Sequence, residues 1–291
     1  MKVDLRKLIS PGPHSIRWSG GALLVAMTIG LTLLFFPMRS DTLNDLAAGD
    51  TLRVGYAIEP PFVTQGADGK LSGEAPVVLE AVLARAGIRN KVEWLRSDFG
   101  SLIHELESGR IQIIASGMFV TPERERRVIF SRPTALVHTG LLMRGSLRPA
   151  PATLSEFSAR EDLQLAVLGG AVEEAMARKA GIAADRIVSY PDTTAALQAI
   201  QEGRVDAFAL STLSLRYILQ QHGGANFQLA PDAQPDAEPG RPAFVFRPGD
   251  KALRDLVDRQ LASFLGSEEH RALVAPFGFQ KADLPAAEAA R

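Results

Sequence analysis

One acid, one base and three phenylalanines fall where a chain turns between strand and helix. Glu59 follows a short apolar run, Leu52 to Ala57, and precedes Pro60, Pro61 and Phe62. The proline pair stiffens that turn, so Glu59 and Phe62 have little backbone freedom. Arg124 lies just after Thr121 and Pro122, an N-cap residue followed by proline at the first helical position. A cation in a first helical turn opposes the helix dipole by about 0.3–1 kcal/mol, where Asp or Glu is usual. Beside free backbone N–H groups and a strand end, that cation makes a site for a small carboxylate. Phe99 opens a helix after Ser97 and Asp98, and Phe119 follows the small turn at Ser116 and Gly117. A phenylalanine is usually a core residue. Three of them at one edge of a parallel sheet also make a box for a diffuse cation, at about 0.5–2 kcal/mol per face. Arg124 thus suits a carboxylate and the phenylalanines a cation, while Glu59 reads equally as a surface turn acid or a binding residue on a stiffened loop.

Other chemistries find no support. The five histidines are scattered, with no metal-ligand spacing, and there is no cysteine. No G-x-S-x-G motif supports a catalytic serine, and Gly169-Gly170 lacks the Lys-Ser/Thr of a phosphate loop. A net charge of −1 argues against nucleic acid. Neither a cofactor nor a metal is expected.

The elements that must position these residues alternate. Leu52–Ala57 reads as a strand, Ala75–Ala86 as a helix closed by Gly87, and Val92–Leu95 as a strand. A helix over Phe99–Glu107, capped by Gly109, leads into a buried strand, Ile111–Ala115. This order predicts α/β architecture around a mostly parallel sheet. HELESGRIQIIASGM (104–118) resembles QAIQEGRVDAFALST (198–212). Any βα protein can show such a likeness once. Its sharper reading is two similar lobes, each with a binding turn at a strand's carboxyl end. Crossovers between lobes are expected near 132–138 and 238–246, and the Pro-rich segment 231–242 suits the return.

The amino terminus stands apart. Lys2, Arg6, Lys7 and Arg17 precede a charge-free run, Trp18–Met38, whose 21 residues can span a bilayer of about 30 Å. Basic residues before it and Asp41, Asp45 and Asp50 after it put residue 1 in the cytoplasm and the remainder outside. The run is long for a signal peptide and reads as an uncleaved anchor, with a cleaved signal as the alternative. The expected layout is 1–17 cytoplasmic, 18–38 anchor or signal, 39–50 linker, 51–137 lobe one, 138–240 lobe two, 241–280 the return to lobe one, and 281–291 a fraying tail.

LRVGYAIEPPF, DGKLSGEAP, FGSLIHEL, GMFVTPER, FSRP, GRVDAFAL and VAPFGF, in this order from Leu52 to Phe279, resemble the family-3 solute-binding proteins of bacterial ABC importers. The resemblance implies a two-lobed periplasmic-binding-protein fold of the Venus-flytrap type. It also implies a monomer in the periplasm, with permease and ATPase subunits as partners, and an arginine at position 124 that grips a ligand carboxylate. Within the family the positions look most like ectoine- and hydroxyectoine-binding proteins. That likeness gives Glu59 the cationic ring nitrogens, Phe62, Phe99 and Phe119 the box, and Gly117 the turn beside it. Two departures stand out. The second-lobe acid that holds an amino acid's ammonium in typical relatives falls near Ser211, and Asp206 before it reads as structural. The Gly-Gly-x-Thr turn of lobe two reads Gly169, Gly170, Ala171 and Val172, so a hydroxyl that binds carboxylate and caps the helix is missing. Backbone N–H groups at 170–172 remain as donors.

A polar amino acid is the alternative ligand. A membrane-anchored sensor working through another protein is a second class. A cyclohexadienyl-dehydratase-like enzyme is a third; it would need Glu173 or Glu174 as a general acid, although acids in a first helical turn ordinarily serve the dipole.

Overall fold

The computed structural model describes residues 42–66, 68–222, 226–235 and 237–286. The 18–38 run lies outside the described residues, as do 1–41 and 287–291. Among the described residues no helix is long and apolar enough to cross a membrane.

The described residues form one compact unit built on two five-stranded sheets. The first sheet is ordered β4-β1-β5-β12-β6, with β1 at Leu52–Tyr56, β4 at Val92–Arg96, β5 at Ile113–Ile114, β6 at Ile129–Phe130 and β12 at Val245–Phe246. The second is ordered β11-β7-β10-β8-β9, with β7 at Thr139–Arg144, β8 at Leu165–Leu168, β9 at Ile187–Tyr190, β10 at Ala207–Ser211 and β11 at Phe227–Ala230. Each sheet is parallel through β4, β1 and β5, or β10, β8 and β9, and each holds one reversed strand, β12 or β7. Those two strands are the first that the chain lays down after each crossing. The parallel strands are linked by helices because a parallel return requires a crossover. Strands β5, β8 and β10 are wholly buried, as the apolar runs require when helices cover both faces.

The internal repeat is real in space. Helix Leu102–Ser108 runs through left-handed Gly109 into β5, and helix Thr193–Gln201 runs through left-handed Gly203 into β10. The two crossing segments lie side by side. Val137 and Gly240 exchange backbone hydrogen bonds of 2.9 and 2.7 Å, and the Thr134 N–H donates to the Pro242 carbonyl at 2.8 Å. A two-stranded ribbon therefore joins the lobes.

Residues 281–284 do not fray. Gln280 and Asp283 form a reciprocal capping box, Leu284 is buried, and the Leu136 N–H donates to the Asp283 carbonyl. The Asp283 carboxylate also meets Arg216 of lobe two at 3.2 Å.

Asp206 proves structural, as its place before β10 implies. It accepts the Gln164 N–H at 2.8 Å and pairs with Arg144, so it pins β8 and β7 to the start of β10. Asp206→Ala is expected to lower stability by about 1–3 kcal/mol while leaving ligand affinity unchanged. Denaturant unfolding and calorimetry on the same preparation check both halves.

Candidate functional site

The site is assembled by turns at the carboxyl ends of β1, β5 and β8. After β1 the chain folds tightly, with Glu59 and Val63 exchanging backbone hydrogen bonds of 3.1 and 3.0 Å. The Ser116 hydroxyl, from the turn after β5, accepts the Ala57 N–H at 2.9 Å and donates to the Ala57 carbonyl at 3.2 Å. These bonds hold the Glu59 turn against the Gly117–Phe119 turn. Gly117 adopts φ +63°, and a Cβ there would lie 2.7 Å from the Phe62 ring. Only glycine suits both the dihedral and the space.

Arg124 sits in the short helix Pro122–Glu125, where the Thr121 hydroxyl accepts the Arg124 backbone N–H at 3.2 Å. The cap and the proline fall where the sequence puts them. Arg124 alone of the cluster Glu123–Arg127 is buried, at 9 % exposure. Its guanidinium donates to the Phe119 carbonyl at 2.7 Å and, across the cleft, to the Gly170 carbonyl at 2.8 Å. It also lies 5.7 Å from the centre of the Phe99 ring. A guanidinium carries five N–H donors, so two carbonyls leave donors for a ligand.

Glu59, Phe99, Gly117, Phe119 and Arg124 line one pocket with Ala171, Val172 and Glu173 of the facing lobe. Glu59, 6 % exposed, accepts a hydrogen bond from the Ser214 hydroxyl at 3.2 Å. Ser214 in turn accepts from the Ser211 hydroxyl at 2.8 Å. Burial pushes the Glu59 carboxyl well above its ordinary range; the Glu173 charge pushes the same way, while Ser214 and Arg124 oppose. Burial also raises Glu173 to about 7, against its own backbone N–H and Arg124. Burial pulls Arg124 down, against the charges of Glu173, Glu123 and Glu59.

Several expected residues occupy other places. Phe62 is fully buried beneath Gly117, its ring edge-on to Phe279 at 5.7 Å, so it supports the wall from behind. The box seen here has two phenylalanines, not three. Ser211 is buried against Ser214 and reaches the pocket only through it. Gly169 donates its N–H to the Tyr190 carbonyl and packs on Gly100. Gly170 presents its carbonyl to Arg124, and the Ala171 N–H is taken by the Leu168 carbonyl. The turn therefore offers fewer backbone donors than its sequence implies. Val172 does line the pocket, and the helix cap falls one residue earlier, on Ala171, whose methyl cannot cap.

The residue whose place was not legible is Glu173. It opens helix Val172–Lys179 beside Glu174, as two ordinary dipole partners would. Glu174 pairs with Arg178 at 2.8 Å, but Glu173 is 3 % exposed and faces the pocket. It shares that pocket with residues of lobe one, and no local pattern reports this.

Two α/β lobes facing one another across a charged cleft are the build of a solute-binding protein. The chain belongs to the bacterial extracellular solute-binding proteins, family 3, whose model matches residues 52–280. It is 26% identical over 286 residues to a probable amino-acid ABC transporter periplasmic-binding protein of Sinorhizobium fredii, covering 94% of this chain and 92% of that one. It superposes with a TM-score of 0.77 on EhuB in complex with hydroxyectoine, at 31% identity, over 83% of this chain and 93% of EhuB. An ancestral arginine-binding protein bound to glutamine shares the fold, at a TM-score of 0.69 and 24% identity, over 78% of this chain and 97% of that one. The family is one of binding proteins rather than enzymes, and the chain is the solute-binding component of an ABC importer for amino acids or similar small solutes.

Closure brings backbone against backbone. A Cβ on Gly170, which adopts φ +77°, would sit 2.6 Å from the Gly100 Cα. Gly170→Ala is expected to block closure and weaken ligand binding by about tenfold or more, the equivalent of one strained, clashing position. Calorimetry measures the affinity, and small-angle scattering with saturating ligand should report a wider particle than the parent.

Proposed function

We propose that this importer component binds a small zwitterion of the ectoine or hydroxyectoine kind between its lobes. One observation carries the reading: the buried acid Glu59 and the buried guanidinium of Arg124 line one pocket with two phenylalanines, Phe99 and Phe119. A cyclic amidinium carboxylate matches this in charge and in shape. Its carboxylate meets the remaining donors of Arg124, and its ring lies between Phe99 and Phe119 with its nitrogens toward Glu59. The hydroxyectoine complex of EhuB supports the same ligand class. Delivery is to a permease and ATPase pair by a monomer held in the periplasm, tethered if the 18–38 run stays attached.

A polar amino acid is the second reading, favoured by the Sinorhizobium relative and by Glu173, an acid from lobe two that stands in for the one absent at Ser211.

Titration calorimetry of the purified chain with ectoine, hydroxyectoine, glycine betaine, glutamine and arginine separates the two. Micromolar or tighter ectoine binding supports the first reading, and binding of an amino acid alone supports the second. In either case Arg124→Ala should weaken binding by about thirtyfold or more, the cost of truncating one member of a buried charged contact. Its unfolding midpoint should stay near the parent's. Undiminished affinity would overturn the placement of the carboxylate.

A further inference from the structure

The pocket holds more acid than a zwitterion needs. Glu59 comes from the turn after β1 in lobe one, and Glu173 from the first turn of helix Val172–Lys179 in lobe two. Both are buried, and both line the same space as one guanidinium, Arg124. With both acids ionised, the closed pocket carries one uncompensated negative charge, and an unpaired buried charge is costly. Few other groups bear on this balance. Glu123 acts on Arg124 from the exposed side of its short helix. Arg96, Asp98 and Asp192 line the adjoining space beyond Glu59. The Ser214 hydroxyl supplies one hydrogen bond to Glu59 and no charge.

We propose that Glu59 and Glu173 act as one acid pair, with one member from each lobe, that fits its charge to the ligand by keeping or releasing a single proton. This rests on the reading of the pocket as a clamp for a carboxylate and a cation. A zwitterion enters with no net charge, and the pair keeps its proton. A ligand with a net charge of +1, such as a basic amino acid, completes the balance itself, and the proton passes to solvent. The site thereby accepts two ligand classes that a fixed acid–base pocket would separate. Burial raises both carboxyls, Glu173 to about 7, and the Glu173 charge adds to the rise of Glu59.

The sign follows from linkage. Binding that expels a proton strengthens as pH rises, by up to about tenfold per pH unit for one proton, and levels off above the pair's own titration. Arginine affinity should therefore climb as pH rises toward about 7 and level off above it, while ectoine affinity stays flat below about 7 and falls above it.

The test is calorimetry of the full chain with arginine and with ectoine, in two buffers of different ionisation enthalpy. At about pH 6, below the Glu173 midpoint of about 7, the wild type should release close to one proton with arginine and none with ectoine. Glu173→Gln should release none and lose arginine affinity by about thirtyfold or more. Equal proton counts in the wild type and Glu173→Gln would overturn the proposal, as would no proton release with arginine. Carbon NMR of the labelled glutamate carboxyls, without ligand, reads the pair independently. Glu173→Gln should lower the Glu59 midpoint by removing a like charge, and an unmoved midpoint overturns the pair. Glu74→Gln is the control, because Glu74 is also buried and raised to about 7 but lies outside the pocket. If neither ligand binds the wild type, the clamp reading fails, and the NMR titration still decides whether the acids are coupled.

Discussion

Arg124 is the interaction on which the arrangement depends. A guanidinium cannot shed its proton inside a protein, so burying it obliges the surroundings to supply acceptors. Two are carbonyls, one from the turn after β5 and one from the facing lobe, and two carboxylates stand nearby. The Gly170 carbonyl exists as a partner only while the lobes are together. The buried charge therefore favours the closed form, and opposes it as soon as the cross-cleft acceptor is withdrawn. Ser214 makes a parallel link, joining lobe two to Glu59 at the other side of the pocket.

What could be read in the sequence was whatever one segment decides alone. Thr121 and Pro122 cap a helix through contacts within four residues, and the structure places that cap where the residues put it. The glycines that end the two repeated helices report a left-handed backbone that few other residues adopt, which made the repeat and the two lobes visible. That Arg124 stands out was legible too, because a cation is out of place in a first turn; its burial was not.

What could not be read is decided by the partner surface. Phe62 and Phe99 are the same residue type at similar positions, yet one points into the core and the other into the cleft. Glu173 and Glu174 are adjacent and chemically identical. One pairs with Arg178 in solvent, and the other is buried and lines the pocket. In each pair, composition is constant and only the direction of the side chain differs, which tertiary contacts set. Ser211 shows the same limit: its family position implied contact with ligand, but its hydroxyl is spent on Ser214.

The hinge carries a consequence for how such a pocket can diversify. The Phe119 ring rests directly on Gly240, where even a methyl group would come within 2.3 Å of it. Phe119 also pairs with Pro242 on the return crossing. One wall of the pocket is thus part of the pivot. Resizing that wall would change how the clamshell swings, so variation there is tied to motion as well as to fit. The opposite wall, Ala171 to Glu173, belongs instead to the turn and helix that follow β8. Exchange of those residues would reshape the pocket and leave the residues of the crossing ribbon themselves unchanged.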